Sequence, residues 1–200
     1  MSFFDDNKKV GLALIIVGLI SIIVAVASIA VAYSDSIADK AAFAVSAIGS
    51  VIFGLLIMFF GFNVRKGSND KVGILSGLFR VLGIATILGA IFTAISVAMI
   101  GDIGAGIVSA IIEIIIGLIY LWVSFKIAGG NKNVISKILW VILLVFTLIL
   151  AILALIAFFV VFSGDLWLIL AGISSLCSFF VYVYAFIALL SPEVKSSMGV

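Results

Sequence analysis

The stretch DIGAGIVSAIIEIIIGLIYLWVSFK, Asp102 to Lys126, decides how the chain is read. An aspartate opens it, a lysine closes it, and Glu113 is the only charge between them. A bilayer's hydrocarbon core takes about 20 apolar helical residues, so the stretch reads as a membrane span. It also echoes an earlier one. Val108-Ser109-Ala110-Ile111 repeats Val45-Ser46-Ala47-Ile48, and Gly117-Leu118 follows at the spacing of Gly54-Leu55. Moving residues 39–70 forward by 63 positions also aligns Asp39 with Asp102, Phe62 with Phe125 and Gly67 with Gly130.

A third copy is fainter. Asp165 lies 63 residues beyond Asp102, and Ile173-Ser174-Ser175-Leu176 takes the place of the four-residue run after a two-residue insertion. At the copy starts, Lys9-Val10-Gly11 matches Lys71-Val72-Gly73, with Lys137-Ile138 a partial echo. Internal repetition at a fixed period marks repeated supersecondary units. The expectation is three tandem antiparallel helical hairpins over roughly 9–70, 71–133 and 137–197, all in one orientation.

Composition supports the membrane class throughout. Of 200 residues, 66% are hydrophobic and 10% charged, and the mean hydropathy is +1.54. Soluble domains carry about a quarter charged residues, and this chain has too few to cover a water-exposed surface. The fold class expected is an all-α integral membrane protein, one polytopic domain over 1–200. Six spans are expected, near 10–33, 41–64, 72–100, 103–125, 138–162 and 166–190. The first exceeds the apolar core of a cleaved signal, roughly 7 to 15 residues, and its leading segment carries Asp5 and Asp6, so it reads as retained.

Positive residues flanking spans stay in the cytoplasm. Lys8, Lys9, Arg65, Lys66, Lys71, Lys126, Lys132, Lys137 and Lys195 fall on one side, nine of the eleven cations. The other side has Lys40 with Asp35, Asp39, Asp102 and Asp165. Localisation in the cell membrane with both termini cytoplasmic follows. Asp39, Asp102 and Asp165 read as helix N-caps, Gly67 and Gly130 as helix stops, and Pro192 as the end of the sixth span before a mobile tail.

Helical spacing puts small residues on single faces, where they let membrane helices approach closely. The first span aligns Gly11, Gly18, Ala25 and Ala32, with Ser21 and Ser28 beside them; the second aligns Ser46, Ser50, Gly54 and Gly61. The fourth carries Gly106, Ser109, Glu113, Gly117, Tyr120 and Ser124 on one stripe, and the sixth carries Ser174, Ser178, Tyr182 and Ala185. The fifth has little beyond Thr147 and alanines and is the most lipid-exposed expected. Cys177, the single cysteine, reads as a small core residue.

Arg80 and Glu113 are the two charges inside spans, where a lone charge costs at least about 2.5–3.5 kcal/mol. A rise of about 1.5 Å per residue puts them at depths differing by about 6 Å, which an arginine fork can cover. An intramembrane Arg80–Glu113 pair is expected. Ser50, Ser109, Tyr120, Ser124, Ser178 and Tyr182 are the candidate polar lining, and the repeat slots matching Glu113 hold Ser50 and Ser178.

Histidine is absent, no disulfide can form within the chain, and neither a metal nor a cofactor site is expected. Serine nucleophiles lack a visible base, so enzymatic activity is not expected. The net charge of +2 gives no reason to expect nucleic acid. Three two-helix repeats are the plan of mitochondrial carriers, but those need proline-centred motifs and Pro192 is the sole proline here; the Asn-Pro-Ala motif of aquaporins is also missing. Two functions stand. One is a non-enzymatic structural or interaction protein in the bilayer, assembling through small-residue faces with itself or another membrane protein. The alternative is a small transporter or channel for an ion, proton or small solute, with a midplane site at Glu113 and Arg80.

Overall fold

Polar side chains at the ends of apolar runs decide where the helices begin. The computed structural model describes residues 4, 6–34, 39–67, 70–130, 132–161 and 166–200. Asp6 Oδ1 accepts from the backbone N–H of Lys8 at 2.9 Å and of Lys9 at 3.3 Å, starting helix α1 (Asn7–Ser34) three residues before the apolar run. Helix α2 is Lys40–Arg65, with Asp39 at its N-cap position but making no side-chain cap bond. Asp70 accepts from Gly73 N at 2.7 Å to open α3 (Lys71–Met99). Asp102 accepts from Ala105 N at 3.0 Å to open α4 (Ile103–Ala128), the N-cap role its position implies. Asn133 accepts from both the N–H and hydroxyl of Ser136, so α5 (Val134–Val161) begins ahead of the apolar pattern. Helix α6 is Leu166–Leu189, and Asp165 lies outside the described residues.

Gly67 and Gly130 sit just past α2 and α4 at φ of +73° and +59°, stopping both helices in the left-handed region. The chain end departs from expectation. Ser191 caps and Pro192 starts a seventh helix, α7 (Pro192–Met198), rather than leaving a mobile tail. Proline suits a first helical turn, where its missing N–H has no partner to lose. Val194 and Met198 of α7 are fully buried beneath the bundle.

Six of the helices, of 24 to 29 residues, are long and apolar enough to cross a membrane, as in a multi-pass integral membrane protein. Neighbours around the bundle run α4, α3, α2, α1, α6, α5, and α3 also meets α6 across the middle. Where α4 and α5 come round to each other, the rings of Tyr120 and Phe146 meet at 6.5 Å.

Glycines set the closest crossings. A Cβ on Gly18 would stand 2.5 Å from the Gly54 carbonyl oxygen, and one on Gly54 would stand 2.7 Å from that of Gly18. Gly83 and Gly117 cross in the same way, at 2.8 and 2.9 Å, between α3 and α4. Gly11 and Gly61 press on backbone of the facing helix in the α1–α2 pair. These small faces are therefore occupied within the molecule, and the glycines expected to face a partner chain face a neighbouring helix.

The large side chains gather at the end that holds both termini, here the terminal end. Val10 and Leu14 of α1, Ile57 and Val64 of α2, and Ile74, Leu78 and Phe79 of α3 join Val123 and Ile127 of α4 there. Leu139 and Leu143 of α5, with Val181, Tyr184 and Leu189 of α6, complete the cluster, and α7 closes it from below. Trp140 donates its indole N–H to the Leu189 carbonyl at 2.8 Å, tying α5 to the end of α6. Cys177 is a buried member of this core, as its sequence context implies.

Candidate functional site: a hydroxyl-lined cavity in the far half

Small side chains on four neighbouring helices leave a space where large ones would have closed it. In the half away from the termini, α1, α2, α3 and α6 surround a cavity of about 400 Å³. Ala25, Ala47, Gly49, Ala85, Gly89 and Ala171 form its wall together with Phe43, Phe53 and Leu170. A Cβ added to Gly89 would touch nothing within 4 Å.

Eight hydroxyls line it: Ser21 and Ser28 of α1, Ser46 and Ser50 of α2, Thr86 of α3, and Ser174, Ser178 and Tyr182 of α6. No charged side chain does. Three of the hydroxyls donate to the carbonyl four residues back in their own helix: Ser21 to Val17 at 2.9 Å, Thr86 to Leu82 at 2.9 Å, and Ser178 to Ser174 at 3.2 Å. With that proton engaged, each oxygen keeps lone pairs to offer. The wall is thus richer in acceptors than its count of serines suggests.

Of the candidate lining, the structure brings Ser50, Ser178 and Tyr182 together here and leaves the others out. Ser124 is buried between α3 and α4, where Ser76 Oγ donates to its carbonyl at 3.0 Å and lies 3.2 Å from its hydroxyl. Tyr120 packs against Phe79 at 5.9 Å in the terminal-end core. Ser109 donates to Glu113 Oε1 at 3.3 Å on the α4 surface, away from the cavity.

Arg80 and Glu113 do not meet. Neither makes an ion pair within 4.0 Å, and the Arg80 guanidinium lies 5.5 Å from the centre of the Phe125 ring instead. The cause is register. Gly83 faces Gly117, Ser76 faces Ser124 and Ala94 faces Gly106, so residues whose numbers sum to 200 are level. Glu113 is then level with Ile87, seven residues or about 10 Å beyond Arg80. Arg80 reaches the opposite way, toward the terminal end. The expectation rested on counting depth from each span's flanking lysine, and α4 extends past Lys126 to Ala128.

Ser21, Ser28, Ser46, Thr86 and Ser174 line the cavity without having been singled out for it. Their spacing offered a signal, four residues between Ser46 and Ser50 and between Ser174 and Ser178, seven between Ser21 and Ser28. The same spacing serves close packing equally well, and only the helix order separates the two uses. Among the described residues no three His, Cys, Asp or Glu side chains gather.

No family model, curated protein or solved structure matches the chain.

Proposed function

We propose that this chain is a small-solute transporter of the membrane, with both termini in the cytoplasm and the far-half cavity as its solute site. One observation carries this: eight hydroxyls and no charge around a 400 Å³ space within a membrane-spanning bundle. A cavity lined by acceptor oxygens and apolar carbons favours a small uncharged solute that donates hydrogen bonds and has a short carbon skeleton, such as a polyol. An ion would find no counter-charge there, which argues against an ion or proton site at Glu113 and Arg80.

An interaction protein assembling through small-residue faces fits less well, because Gly11, Gly18, Gly54, Gly61, Gly83 and Gly117 press on facing helices. Lipid is the partner assigned to the exposed apolar faces of α4 and α5, where Ile111, Ile115, Ile142 and Ile149 are each about half exposed. The matching Gly18–Gly54 and Gly83–Gly117 crossings favour reading the chain as tandem hairpins.

The test is glycerol uptake into proteoliposomes, followed by light scattering. Uptake above that of empty liposomes is expected, falling several-fold in Ser50→Leu and Ser178→Leu, which fill the space. Glu113→Gln should leave uptake unchanged, since Glu113 is outside the cavity. Uptake no faster than empty liposomes, or loss of uptake in Glu113→Gln alone, would sink the proposal.

A further inference from the structure

Arg80 is left with a charge and nothing in the protein to answer it. It is nine residues, about 13 Å, inside the start of α3. Its side chain is exposed, and no carboxylate or hydrogen-bond acceptor of the protein reaches it. The Phe125 ring attracts the cation from one face only. The five N–H donors lie in the guanidinium plane, so stacking on a ring leaves them open.

A second cation arrives at the same place from the other direction. Lys126 folds back along α4, and its Nζ lies 5.7 Å from the centre of the Trp122 ring, four residues toward the middle of the helix. Long cationic side chains near the end of a span ordinarily extend outward to the interface. Trp122 and Phe125 are one helical turn apart, are 46% and 64% exposed, and stand on the outer surface of α4. Arg80 reaches outward to this pair of rings while Lys126 reaches inward. Two like charges brought onto adjacent rings repel unless an anion lies between them.

We propose that Arg80 and Lys126 form a binding site for the phosphate of an anionic membrane lipid, with Trp122 and Phe125 as its apolar floor. The chemistry fits in three respects. A guanidinium fork binds two phosphate oxygens at once, and an ammonium supplies the second charge. Phe125 and Trp122 lie about 5 and 9 Å inside the end of α4, within the interfacial zone where tryptophan is enriched and headgroups sit. The rings face outward from the bundle, so a lipid reaches them from the bilayer and its chains continue along exposed Leu118 and Ile115 of the same helix. The site is on the α3–α4 flank, separate from the hydroxyl-lined cavity, and does not depend on what that cavity carries.

The experiment follows the thermal midpoint of the full chain in detergent. Phosphatidylglycerol, phosphatidylcholine or inorganic phosphate is titrated in separate arms. A saturating rise is expected with phosphatidylglycerol and not with the other two. Arg80→Gln and Lys126→Gln should each weaken the apparent lipid affinity by about tenfold, near the scale of one charge-assisted hydrogen bond. The double change Lys66→Gln with Lys137→Gln removes as much charge from the same end and should leave the affinity unaltered. If Arg80→Gln does not purify, Lys126→Gln carries the same comparison. Equal lipid responses in the wild type and in the Arg80 or Lys126 variants would overturn the site, as would no preference for phosphatidylglycerol. An equal rise with inorganic phosphate would overturn the lipid as its source.

Discussion

Helix α3 passes through two unlike halves of one molecule. Over its first three turns it buries Ile74, Leu75, Leu78, Phe79 and Leu82 against large side chains from every other helix pair. Past that point it offers Ala85, Thr86 and Gly89 to a cavity, and its last turns are largely exposed. The helical backbone is continuous across the change, so the difference comes from side-chain volume alone. Large apolar residues interdigitate and exclude space, whereas small and hydroxylated ones at the same helix separation leave it. Both halves are helical and apolar, yet one is built to hold together and the other to hold something.

That contrast is breakable by paired substitutions, compared by thermal unfolding in detergent. Leu78→Ala in the packed half should cost about 2–5 kcal/mol, since it empties a filled site. Leu170→Ala at the cavity wall should cost less than about half as much, because the leucine already lacks neighbours on one side. Equal losses would mean that the far half is packed as tightly as the terminal one. Gly61→Ala comes next, at about 1–3 kcal/mol, because its Cβ would collide with the Gly11 carbonyl and Ile15. Gly89→Ala, with open space around it, should be neutral or stabilising by up to about 1 kcal/mol through helix propensity. A destabilising Gly89→Ala would close the cavity as a concept. The smallest pair concerns hydroxyls. Ser76→Ala loses an interhelical bond worth about 0.6–1.7 kcal/mol, and Ser178→Ala, whose bond stays within α6, should fall within about 0.5 kcal/mol of the wild type.

The spans were legible because apolar length is a property of the local chain. The caps at Asp102 and the stops at Gly67 and Gly130 were legible for the same reason. Helix α7 was missed because Pro192 was read for what it ends, while its burial depends on Val194 and Met198 meeting a core assembled from distant helices. The Arg80–Glu113 pairing was misjudged through register, which the glycine crossing at Gly83 and Gly117 fixes and flanking lysines do not. The cavity was half legible: Ser50, Ser178 and Tyr182 stood out as polar, but the choice between packing and lining waits on which helices are neighbours. Ser124 and Ser178 look alike in sequence, and one meets Ser76 while the other faces open space.

The α5–α6 hairpin differs mechanically from the other two. It is clamped at the terminal end through Leu139, Leu143, Val181 and Leu189, but α5 has no glycine to lock a crossing further along. Held at one end and loosely paired beyond, it is a lever whose fulcrum is the packed core. A tilt of about 10° about that fulcrum moves a point 17 residues away, about 25 Å, through about 4 Å. Leu170, Ala171 and Ser174 ride on the moving arm. A rotation too small to disturb the core would therefore displace one wall of the cavity by more than the width of a water molecule.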